Sequence, residues 1–177
     1  MTTVEYFQTP ETVLPCELAY GVLRVADAPT TYHQRVVLDL ALTIAPFVRE
    51  RRLGELMIAP LDVILDVDAA LVVQPDLLFV AEARRHTLTD CMNGAPDLVV
   101  EVLSPHPRIG YLQERVGWFA KYGVRECWLV DLPEKSIAVL TLNQHGVEHR
   151  TLHRGHNPVQ TRVLEGLHLT PLEIFGW

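Results

Sequence analysis

Cysteine, basic charge and long uninterrupted apolar runs are all scarce in this chain. Only 3 of the 177 residues are cysteine. Cys16, Cys91 and Cys127 are odd in number and far apart, with no C-x-x-C pair. Neither a disulfide framework nor a zinc knuckle is therefore expected, and the three read as reduced structural thiols. Acidic residues outnumber Lys and Arg by 22 to 15, a formal net charge of −7. Affinity for nucleic acid over a broad surface comes from neutralising phosphates, so this balance excludes that kind of grip. Local basic patches remain, at Arg49, Arg51 and Arg52 and at Arg84 and Arg85, and they read as solvated helix-end or loop positions. No uncharged apolar run nears the roughly 20 residues needed to cross a bilayer. Met1 to Glu11 has neither the basic start nor the apolar core of a signal peptide, so the expectation is a cytoplasmic chain with no membrane partner. Internal repeats, low-complexity tracts, zinc fingers and a helix-turn-helix are also missing.

What the chain does have is 49% apolar and 21% charged residues, the texture of a globular protein, and a length that suits one domain over residues 1–177. Thr3 to Pro10 predicts a short amphipathic helix, with Val4, Tyr6 and Phe7 on its apolar side. Cys16 to Val25 predicts a strand pair turning at Gly21. Thr30 and Thr31 offer a hydroxyl cap for a long helix from Tyr32 to Arg51, where Val36, Val37, Leu40, Ile44, Phe47 and Val48 recur at helical spacing. Pro46 is expected to kink or shorten it. Short strands follow at Leu56–Ala59, Asp62–Leu65, Ala70–Val73, Leu77–Val80 and Leu98–Leu103, and their close succession predicts an antiparallel meander. A second long helix is expected over Arg108–Tyr122, closed by Gly123, then a strand over Cys127–Asp131. This strand–helix–strand unit places two parallel strands side by side. A hairpin over Ser136–Leu142 and Val147–Leu152, and an apolar tail that docks on the body, complete the reading. The fold class is α/β or α+β: a mixed sheet flanked by helices, with an added hairpin. His145, His149, His153 and His156 would line one face of a helix, but Gly146 and Gly155 favour a hairpin there and weaken a metal reading.

Chemistry concentrates between Leu71 and Pro105. Two apolar runs each carry one carboxylate, Asp76 after Gln74-Pro75 and Glu101 within Leu98–Leu103. A charge inside such a run is costly unless paired. Neighbouring strands bring two such groups to one Mg²⁺ or Mn²⁺, with the Val102 carbonyl as a third oxygen. That ion would polarise a phosphoryl oxygen and activate water. The competing readings are a strand-end cap for Asp76 and, for Glu101, a buried ion pair with an arginine such as Arg115. Asp62 and Asp97 read as turn or strand-end residues, and Trp118, Trp128 and Trp177 as packing.

Gln74-Pro75-Asp76-Leu77-Leu78-Phe79-Val80, followed by Pro96-Asp97-Leu98-Val99-Val100-Glu101-Val102-Leu103-Ser104-Pro105, resembles the Uma2 family of restriction-endonuclease-like proteins, within the PD-(D/E)XK nuclease superfamily. Glu17-Leu18 with Gly21, His33-Gln34-Arg35, Gly123-Val124 through Asp131, and Gly166-Leu167 with Ile174-Phe175 extend the resemblance along nearly the whole chain. It implies a restriction-endonuclease-like core, often a homodimer, acting on DNA with a divalent ion on Asp76 and Glu101. Glu17 matches a further acidic position near the site, with a surface strand position as the equal alternative. The lysine expected two residues beyond Glu101 is Leu103 here. The helical lysine, and the aspartate one turn before it, align with Arg115 and Tyr111, on a face turned away from Leu112, Val116 and Phe119. Arg115 can clamp phosphate but cannot serve as a base. His33 and Tyr111 are the candidates to meet substrate, although His33 reads first as an ordinary helix-start residue. The family's Asp-Gly becomes Tyr20-Gly21. The readings are a Mg²⁺-dependent DNA endonuclease or a catalytically degenerate relative that binds or assembles.

Overall fold

The computed structural model describes residues 1–10, 14–103 and 111–176. Expectations for Ser104-Pro105, for the start of the second long helix at 108–110, and for Trp177 lie outside these.

Thr2 caps a short helix, α1 (Thr3–Phe7), through a reciprocal bond with Glu5. Its buried residues are Thr3 and Tyr6, while Val4 and Phe7 face solvent, so one turn of helix buries a narrower stripe than its apolar content suggests. Strands β1 (Cys16–Ala19) and β2 (Val22–Val25) form the expected hairpin. The Thr30 hydroxyl accepts the His33 N–H and starts α2 (Thr31–Glu50). Val36, Val37, Leu40, Ile44 and Val48 are its buried face. The helix runs four residues beyond Pro46 rather than ending there, held by apolar packing that outweighs one missing hydrogen bond.

Next come β3 (Gly54–Ile58), β4 (Val63–Asp66), β5 (Leu71–Val73), β6 (Leu77–Ala81), a 3₁₀ turn (Glu82–Thr87), β7 (Met92–Asn93) and β8 (Leu98–Leu103). These are not one meander. β3 pairs with β6, whereas β4 and β5 pair with each other in a second sheet. Pro60 and Pro75 flank the excursion, and a residue without an N–H cannot carry a ladder onward. Helix α3 (Leu112–Tyr122), ended by Gly123 at φ 100°, crosses over to β9 (Glu126–Asp131), parallel to β8 as expected. β10 (Ser136–Asn143) and β11 (Gly146–Arg154) form the hairpin, and α4 (Pro171–Phe175) closes the described chain.

The result is a mixed α/β architecture of two sheets flanked by helices. A six-stranded sheet has the order β11-β10-β9-β8-β6-β3, and a five-stranded sheet the order β2-β1-β5-β4-β7. One core cluster lies between the six-stranded sheet, α2 and the tail, where Leu164, Leu169 and Ile174 are fully buried. A second joins that sheet to α3 and to the inner face of the smaller sheet. His149 and His153 sit on β11, about 13 Å apart at strand rise, not on a helix face. Among the described residues no helix is long and apolar enough to cross a membrane.

Candidate active site

The central feature is the end of the β6–β8 pair. Along β8, Leu98, Val100 and Val102 belong to the first core cluster and Val99 to the second, so Glu101 projects on the Val99 side. Along β6, Leu77 and Phe79 share the first cluster, Leu78 and Val80 the second, which puts Asp76 on the Leu78 side. Leu77 pairs with Val100, so the next step of the register sets Asp76 opposite Glu101. Both carboxylates thus stand on one side of the sheet. Asp76 Oδ2 accepts the Val102 N–H at 2.7 Å, which fixes the carboxylate against the facing strand.

Three further elements reach this point. From the first turn of α2, His33 Nε2 comes to 3.3 Å from Asp76 Oδ2. Burial alone would lower the imidazole pKa, but the Asp76 contact, the Val102 carbonyl and the charge of Glu101 together raise it above its ordinary value. From β1, Glu17 is buried: Oε1 accepts the Gln74 N–H at 2.6 Å and Oε2 accepts Arg115 Nη1 at 2.5 Å. From α3, Arg115 also donates to Glu101 Oε1, through Nη2 at 2.6 Å and Nε at 3.2 Å. Its guanidinium lies 5.6 Å from the Phe119 ring centre, one turn along the helix.

Of the two readings for Arg115, phosphate clamp and buried partner of Glu101, the geometry matches the second: it is 7% exposed and bridges Glu101 and Glu17. A guanidinium that close to two buried acids is locked in the charged state, its pKa raised further. Glu101 is pushed up to about 7, first by burial and then by Asp76 and Glu17, with Arg115 pulling the other way. Glu17 and Glu101 share Arg115 while Asp76 faces His33, so the cluster carries surplus negative charge once Glu101 ionises. Tyr111 is apart from the cluster: it sits at the N-cap of α3, 80% exposed, with its carbonyl accepting the Glu114 and Arg115 N–H groups.

Asp62, read as a turn residue, holds the segment ahead of Asp76 from outside: its Oδ1 accepts Gln74 Nε2 and the Tyr6 hydroxyl, both at 2.9 Å. Asp97 is buried under Arg84 and Arg125 and accepts the Ala81 N–H, anchoring the far end of β6. Local sequence carries no sign of either, because the donors come from distant segments.

Among the described residues no three His, Cys, Asp or Glu side chains form a metal-holding group. A hard cation such as Mg²⁺ needs fewer, one or two carboxylates with carbonyl and water oxygens. Asp76, Glu101 and the Val102 carbonyl supply that donor chemistry in a region of surplus negative charge.

A mixed sheet whose central strands present facing carboxylates, backed by a crossover helix, defines the class as a restriction-endonuclease-like α/β fold. The chain belongs to the Uma2 family, described as "Putative restriction endonuclease", which it matches over residues 3–172. It is similar in fold to a solved structure from Anabaena variabilis ATCC 29413, described as a "putative nuclease belonging to DUF820". The TM-score is 0.84 at 19% sequence identity, covering 100% of this chain and 98% of the other. No curated protein matches the chain.

Proposed function

We propose that this protein is a divalent-cation-dependent endonuclease that hydrolyses DNA phosphodiester bonds at Asp76 and Glu101. The observation that carries the reading is the pair itself, opposed across β6 and β8 on one face. Asp76 and Glu101, with the Val102 carbonyl, would hold Mg²⁺ or Mn²⁺. When bound, such an ion supplies charge to a phosphoryl oxygen and acidifies a coordinated water. Glu101 keeps its orientation because Arg115 takes Oε1, and Asp76 keeps its own through the Val102 N–H. Glu17 and Arg115 are positioning groups in this scheme, since each acts through another residue. His33 stands beside Asp76 with Nε2 turned to its Oδ2, and in this scheme it orients that carboxylate at the edge of the substrate site.

Plasmid DNA incubated with Mg²⁺ or Mn²⁺ should be nicked by the wild type and left intact by Asp76→Ala and Glu101→Ala. Calorimetric titration with Mn²⁺ should show binding that Asp76→Ala loses. No cleavage of any DNA form by pure protein with either ion would sink the proposal.

The buried Arg115 bridge and Leu103 favour a second reading, a nuclease-fold protein that has lost turnover and acts as a binding or assembly module. Under it, Mn²⁺ binding and cleavage are both absent while DNA or self-association remains. A homodimer, proposed for either reading, is tested by light scattering of the intact chain.

A further inference from the structure

On the outer side of α3, Trp118 closes the second core cluster, and the β1–β2 turn lies against it. Tyr20 opens the β1–β2 turn at φ 50°, followed by Gly21 at 82°. That left-handed position favours Gly, Asn or Asp, and a tyrosine there is strained. Its ring is 47% exposed yet held, edge-on to Trp118 with centroids 5.8 Å apart. Cations flank the pair: Lys121 Nζ lies 5.9 Å from the Tyr20 ring and the Arg24 guanidinium 5.6 Å from Trp118. Glu114, 3.5 Å from Arg24, moderates that charge. Next to Trp118, inside the unbroken helix, a Cβ at Gly117 would meet nothing within 4 Å, so no internal packing requires a glycine. Arg115, which touches the site, is one turn away on the same helix.

We propose that Tyr20 is a stacking platform for an unpaired base of single-stranded DNA, with Arg24 and Lys121 on its phosphates and Gly117 leaving room for the strand beside α3. This rests on the nuclease reading for its substrate class and adds the strand form. With a net charge of −7 overall and two cations at this surface, phosphate neutralisation along a duplex contributes little here. Stacking on an aromatic ring supplies affinity without that charge, and it needs a base free of its partner.

The test is fluorescence anisotropy of a labelled single-stranded oligonucleotide of about 12 nucleotides, with chelator present so that nothing is cut. Tyr20→Gly removes the ring while giving the turn the residue it prefers. Its unfolding midpoint should equal or exceed that of the wild type while affinity falls about 5- to 150-fold, the loss of one stacked base. Tyr20→Phe should bind like the wild type. The salt slope of log K should be shallow, about −1.4 for two cations on a single strand. Unchanged binding in Tyr20→Gly, no binding by the wild type, or tighter binding of the matching duplex would each overturn the proposal. Cleavage separates it from the reading beneath: wild-type nicking with unaffected Tyr20→Gly binding defeats the platform alone. Ring-dependent binding without metal-dependent cleavage defeats the nuclease alone.

Discussion

Glu101 holds the most chemically consequential charge in the molecule, and its cost sets how stability responds to pH. Its folded pKa, about 7, is above the ordinary 4.5 because burial and the neighbouring Asp76 and Glu17 outweigh Arg115. A carboxyl raised on folding contributes stability that is fully present below 4.5 and lost as pH climbs through 7. His33, also raised, behaves alike: its contribution is present below 6.5 and fades above its folded value. Both push the same way, so without divalent ions the unfolding midpoint should fall between pH 5 and pH 8. In Glu101→Gln that slope should be shallower, and Mn²⁺ should raise the wild-type midpoint more at pH 8 than at pH 6. A midpoint that rises over this range in chelator contradicts the charge assignment. The carboxylates were legible in the sequence because each interrupts an apolar run. Arg115 was legible as a candidate buried partner of Glu101, but its second bond was not, since that depends on Glu17 arriving from a hairpin 98 positions away.

The same arginine makes a sharper test by mutation. Removing one member of a buried ion pair leaves the others uncompensated and typically costs about 3–5 kcal/mol. Arg115→Ala should therefore destabilise by about that amount in denaturant titrations, and Arg115→Lys by less, because one ammonium cannot span both acids. An arginine waiting in an open cleft for phosphate would show a change near zero on substitution.

At the scale of elements, the helices and the β8–α3–β9 crossover followed from periodicity, the Thr30 cap and Gly123. The partition of strands between two sheets did not. β3 to β6 are consecutive short runs, and nothing in their own residues says that β3 skips β4 and β5 to pair with β6. That choice is made by facing surfaces: Leu56 and Phe79 meet in the cluster under α2, whereas Val63 and Val73 face the other core. The docking of the tail was legible only as apolar residues seeking cover. Its anchor is Glu126, buried on β9, whose carboxylate accepts Trp128 Nε1 at 2.7 Å, Thr161 Oγ1 at 2.6 Å and the Arg162 N–H at 2.9 Å. Glu126→Ala strands a buried indole N–H and frees the tail, for an expected loss of about 2–4 kcal/mol. Hydrogen exchange should then rise across 159–170 before it rises in β8. Uniform acceleration throughout the chain would mean that Glu126 is not a local anchor.

Over the whole molecule, the two sheets share one interior, and we propose that neither is stable without the other. Val63, Leu71 and Val73 from the smaller sheet pack in a single cluster with Leu78, Val99 and Leu129 from the larger one and Phe119 from α3. Exposing that surface would cost about 25 cal/mol for each Å² of apolar area, a penalty neither sheet escapes by unfolding alone. The Glu17–Arg115–Glu101 bridge crosses the same boundary, tying β1 of one sheet to β8 of the other through α3. Residues 1–177 are therefore proposed to melt as one domain. Scanning calorimetry of the intact chain in chelator should give one transition, with calorimetric and van't Hoff enthalpies that agree. Leu71→Ala, in the small sheet, should move that single peak down by the stability loss of a buried leucine, about 2–5 kcal/mol, without splitting it. If a separate early transition emerges, the candidate site loses its rigid frame, because Glu17 and the Gln74–Asp76 segment would melt away while β8 stayed folded.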